Sequence, residues 1–106
     1  MPNTNLVRGL NDRFRQNLCG GRVLVTPGIA AREDAEIIVT RVRTFDDFSE
    51  DNDPYGEHDF GAFDQDGDKI FWKIDYYDAD LMAGSPDPAD AAVTTRVLTI
   101  MLAEEY

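Results

Sequence analysis

The pair Asp66-Gly67 constrains this chain more than any other feature. Both residue types accept the positive φ angles of a two-residue type I′ turn, and the pair stands between two β-prone runs, His58 to Phe63 and Lys69 to Tyr77. An antiparallel hairpin follows, and with it a register. With two or four loop residues centred on Asp66-Gly67, Phe63 faces Ile70, Gly61 faces Trp72 and Asp59 faces Ile74. On the other surface Ala62, Phe60 and His58 lie opposite Phe71, Lys73 and Asp75. Gly61 then leaves room for the Trp72 indole, and alternation groups Trp72 with Ile70, Ile74 and Tyr76 on a core face. A loop of three or five residues would shift the register and remove the His58–Asp75 pair.

The flanking sequence supplies helices and one more strand. Leu6, Leu10, Phe14 and Leu18 recur every four residues, which predicts an amphipathic helix over 4–18 ended by Gly20-Gly21. Arg22 to Thr26 reads as a short strand stopped by Pro27-Gly28. Glu33, Asp34 and Glu36 place negative charge at the start of a helix over about 31–46, with Ile38, Val42 and Phe45 inward. Asp87, Pro88 and Asp90 have the pattern of an N-cap and first turn, predicting a C-terminal helix over 88–104 with Val93, Val97, Ile100 and Met101 inward. The β-branched residues of that segment, Thr95, Val97, Thr99 and Ile100 among them, leave a strand over 96–102 as the alternative. The order helix, strand, helix, hairpin, helix describes a single α+β domain over 1–106, with helices on one face of a small antiparallel sheet. A chain of 106 residues with 42% hydrophobic content suits one core.

Charge divides the chain unevenly. The formal net charge is −11. Residues 1–45 carry seven arginines against four acids, whereas residues 46–106 carry 17 acids against Lys69, Lys73 and Arg96. Two segments hold most of the excess: 46–59, with Asp46, Asp47, Glu50, Asp51, Asp53, Glu57 and Asp59, and 78–90, with Asp78, Asp80, Asp87 and Asp90. The first reads as a long loop, a type that often carries function. Two outcomes are open: the N-terminal arginines fold back and neutralise these acids, or the acids stay free as a patch for a basic partner. Direct binding to a nucleic-acid backbone is disfavoured, because phosphates require clustered positive charge.

Few residues have the makings of catalytic chemistry. His58, the single histidine, sits among Asp53, Glu57 and Asp59, and the hairpin register brings Asp75 opposite it. Asp53, Glu57, His58 and Asp75 could hold a divalent metal, or His58 oriented by Asp75 and beside Glu57 could act as a general base. One nitrogen ligand is a poor transition-metal set, and a cross-strand His–Asp pair is an ordinary structural contact, so the same residues also read as plain structure. Asp64 to Asp68 imitates the opening of a calcium loop, but Lys69 and Asp75 fall where that loop needs glycine and glutamate. Ser49 and Ser85 have no nucleophile motif around them, Gly20-Gly21 precedes a strand rather than opening a helix, and no cofactor is expected. Cys19, the one cysteine, excludes an internal disulfide and reads as a buried structural thiol in a reducing compartment. No leader or apolar span long enough for a membrane is legible, so a cytoplasmic protein is expected.

At Asp51–Gly61, Phe71–Asp78, Ser85–Pro88 and Val97–Leu102 the sequence resembles an uncharacterised bacterial family of small acidic proteins, a domain of unknown function frequent on plasmids and other mobile elements. The resemblance implies a bacterial, cytoplasmic origin and transfers no activity or catalytic residue. It adds weight to one class, small inhibitors of host defence. The sequence thus leads to two expectations. The first is an acidic protein-binding module, a nucleic-acid mimic directed at a restriction or CRISPR-type effector, using Asp46, Asp47, Asp51, Asp53, Glu57, Asp59, Asp78, Asp80 and Asp87. The second is a metal-dependent or acid–base enzyme centred on His58. A homodimer through an apolar face of the C-terminal helix is a further option.

Overall fold

The computed structural model describes residues 3–106. Helix α1 spans Thr4–Asn17, strand β1 Gly21–Val25, a single helical turn α2 Pro27–Ala30, and helix α3 Ala35–Arg43. The hairpin strands are β2, Phe60–Gln65, and β3, Asp68–Tyr77, and the final strand β4 runs Thr95–Leu102 between two short 3₁₀ turns. The four strands form one sheet in the order β1-β4-β3-β2. Only the β1–β4 pair is parallel.

The hairpin forms as its turn dictates. Asp66 and Gly67 adopt φ angles of 52° and 88°, and Phe63 pairs with Ile70, Gly61 with Trp72, Ala62 with Phe71 and Phe60 with Lys73. The register continues one residue past β2, where the Ile74 amide donates to the Asp59 carbonyl at 2.8 Å. It breaks at His58, whose φ of 55° turns the chain out of the strand.

The core is the sheet face covered by the helices. Phe14 of α1, Ile29 of α2, and Ile38 and Val42 of α3 pack with Phe63, Ile70, Trp72, Ile74, Leu98 and Ile100 in one buried cluster. The α+β architecture with helices on one sheet face agrees with the sequence. Four details differ. Residues 95–102 are a strand, so the helix over 88–104 does not form, and no helical dimer face exists there. The Thr- and Val-rich segment is buried on both sides, as the middle of a sheet requires, and Asp90 caps only a 3₁₀ turn by accepting the Ala92 amide. The helix expected over 31–46 shortens to α3 because Pro27 starts its own turn and Arg32 leaves the helix to pair with Asp34. On α1 the buried face is Val7, Asn11, Phe14 and Arg15, one position away from the leucine stripe, and Leu6 is 60% exposed. Cys19 is exposed rather than buried.

Candidate functional site

Segment 46–59 is held against α1 by a buried polar layer. Arg15 is 1% exposed, and its guanidinium donates to the carbonyls of Val42, Arg43 and Phe45, closing the C-terminal end of α3, and to Asp12 at 3.0 Å. A fixed cation there also answers the negative end of the helix. Asp12 in turn accepts from His58 Nδ1 at 2.9 Å. The imidazole lies flat on Phe48, with ring centroids 3.7 Å apart, and its Nε2 stands 3.7 Å from Asp53. Asp53 is itself buried, and its carboxylate accepts the His58 amide, closing the loop on itself. His58 is therefore wedged between α1 and its own loop. The positive φ of His58 is what aims the ring there.

A second chain of bonds runs beside the first. The Tyr76 hydroxyl donates to Glu57 and accepts from Asn11, Asn11 also donates to the Glu57 carbonyl, and its side-chain oxygen accepts from Arg96. Arg96 continues to the Pro88 carbonyl, which ties segment 78–90 into the same layer. Burial raises the Tyr76 phenol far above its ordinary value and lowers Arg96. It also raises Asp59, with the Glu57 charge adding to the effect. Desolvation is the common cause.

The sequence-derived site residues separate into three groups. His58 and Asp53 come together, but with Asp12 as the third member. Glu57 turns to Tyr76. Asp75 projects from the opposite sheet face, where Lys73 holds it at 2.8 Å, so the expected His58–Asp75 pair is not formed. Asp53, Glu57, His58 and Asp75 accordingly do not converge, and among the described residues no group of three or more His, Cys, Asp or Glu side chains is placed to hold a metal ion. Asp12 could not be singled out from the sequence, since 46 positions separate it from His58 and it has no motif of its own.

The acids expected to bind a partner divide by exposure. Asp46, Asp47, Asp51, Asp80 and Asp87 are exposed, Asp78 and Asp59 are half-buried, and Asp53 and Glu57 belong to the internal layer. The two acidic segments meet: Glu57 and Asp87 line a cavity of about 180 Å³ together with Asn3, Thr4, Val7 and Pro88. Round the molecule, Asp46 and Asp47 face Asp64 and Arg41 across an open groove of about 410 Å³. The N-terminal arginines mostly do not answer this charge. Arg8, Arg15, Arg41 and Arg43 reach backbone carbonyls, and Arg32 pairs with Asp34 and Asp68. Within 46–59 and 78–90, no carboxylate has a Lys or Arg within ion-pair distance among the described residues, and only Asp53 approaches the His58 ring.

Fold and site together define a small one-sided α+β domain whose loops gather unpaired carboxylates. The family comparison matches residues 25–105 to the family described as Protein of unknown function (DUF3768), and the chain belongs to it. No match was found among curated proteins or among solved structures. No helix among the described residues is long and apolar enough to cross a membrane.

Proposed function

We propose that this chain is an acidic protein-binding module that docks on the basic surface of a nucleic-acid-binding effector and occupies its nucleic-acid channel as a mimic. Its setting is the bacterial cytoplasm and its source a mobile element, as for the small acidic proteins the sequence resembles. The effector is a restriction nuclease or a CRISPR-type complex. One observation carries the reading: among the described residues the exposed acids of the two loops lack Lys or Arg partners, while nearby arginines are spent on backbone carbonyls. Clustered like charge costs stability through self-repulsion, and a cationic partner offsets that cost. Duplex DNA offers about one charge per 1.7 Å of axis, and 46–90 holds 15 acids against two bases.

The test is titration of purified effectors at varied salt. Matching six charges predicts an affinity loss of roughly 10³-fold between about 50 and about 200 mM salt. The variant with Asp47→Lys, Asp51→Lys, Asp80→Lys and Asp87→Lys loses at least about 100-fold, since four favourable contacts become repulsive. Binding that ignores salt, or survives the four reversals, excludes the mimic.

A further inference from the structure

The sheet face opposite the helices carries no helix: Val97 and Met101 are buried on it by their neighbours, Phe60 and Phe71 are half-buried, and Leu24 is exposed. Two cross-strand rows cross it, Ala62–Phe71–Met101 and Phe60–Lys73–Thr99–Leu24. The Tyr106 ring stands edge-on to Phe60 and Phe71 at 6.5 and 5.8 Å, and Leu24 is 54% exposed. A solvated antiparallel face ordinarily alternates to polar residues, whereas the centre of this one is aromatic and aliphatic. Its charges are also unlike the rest of the chain. Lys69 and Lys73, the only lysines, both project from it and pair with Asp64 and Asp75, and Arg22 adds a third base.

We propose that the same face of a second copy covers it, forming a two-fold sheet-on-sheet dimer. Charge selects this occupant. Two chains of −11 repel wherever their acidic loops approach, and this face, with three bases against two acids on its strands, is where they can meet. Its alternating signs are self-complementary. A two-fold axis lets Lys73 of each copy meet Asp75 of the other. The area is sufficient: four strands about 4.8 Å apart, five to ten residues long at about 3.3 Å each, make a panel of roughly 19 by 17–33 Å. With side-chain relief this reaches the order of 800 Å² per partner. A single-stranded nucleic acid stacked on Phe60 and Phe71 is the competing occupant. It is disfavoured because a chain of net charge −11 repels phosphate.

Sedimentation of the full chain decides the matter. The wild type is expected at twice the chain mass at micromolar concentration. Leu24→Asp, on an exposed edge position, raises the dissociation constant at least about tenfold. Lys73→Asp and Asp75→Lys each weaken the dimer, and mixing the two variants restores it; the circular dichroism of Trp72 verifies that each variant is folded. A wild type that stays monomeric at about 100 μM overturns the proposal. So does a Leu24→Asp chain that dimerises as before, or a wild type that binds single-stranded oligouridylate through Phe71. Leu24→Asp leaves Asp47, Asp51, Asp80 and Asp87 unchanged, so loss of dimerisation and loss of effector binding are separable outcomes.

Discussion

Gly61 and Trp72 illustrate how much one pair of residues can carry. A Cβ at Gly61 would lie 2.3 Å from Trp72 Nε1, and the indole is fully buried against Phe45 and Phe48. Gly61→Ala is therefore expected to destabilise the fold by about 1–3 kcal/mol in a urea titration, with the loss traced to overpacking. Arg15→Met keeps the aliphatic stem but strips the charged donor from the last carbonyls of α3. A cost of about 2–4 kcal/mol is expected in the same titration. Asp59 supplies a pH signature. Burial raises its folded-state pKa above the unfolded value, so the folded state holds the proton more tightly and stability falls as pH rises through the carboxylate range toward neutrality. Asp59→Asn should melt higher than wild type at pH 7, and the advantage should vanish once the pH drops below the unfolded carboxyl value of about 3.9. Equal melting temperatures at pH 7 would show that the carboxylate is not penalised.

Legibility in the sequence varied from element to element for physical reasons. The hairpin was readable because a two-residue turn sets a local register, and Gly61 opposite Trp72 followed from counting. Strand β4 was the hard case. Val97, Ile100 and Met101 suit one helix face as well as they suit a doubly buried strand, and Asp87 and Asp90 carry genuine capping chemistry that serves turns instead. Tertiary pairing on both sides decided the matter. The buried face of α1 escaped because Asn11 and Arg15 are polar, and hydrophobic periodicity is blind to a buried polar layer. The chemistry of His58 is legible in the sequence, but its partner depends on one backbone angle that no motif encodes. Hydrogen exchange offers an element-scale check. Amides shared between β3 and β4 should exchange only by global unfolding, while those of Val23 and Val25, which the one-sided pairing of β1 leaves facing outward, should exchange by local opening.

At the scale of the whole molecule, the net charge of −11 resolves into two unlike surfaces: two loops whose acids lack a Lys or Arg partner among the described residues, and a helix-free sheet face that holds both lysines. Added salt should act on them in opposite directions, weakening contact of the acidic loops with a cationic partner while relieving repulsion between copies. The order of the sheet has a further consequence, in time rather than in space. Strand β4 lies between β1 and β3 yet follows both in the chain, and β1 pairs with it across 75 positions, Gly21 to Arg96. During synthesis the hairpin can close early and offer the helices part of their packing surface, but β1 has no strand to pair with and the core lacks Leu98 and Ile100 until Leu102 has left the ribosome. Nascent chains halted before Thr95 should therefore remain protease-sensitive. Those extended past Leu102 should become resistant in one step.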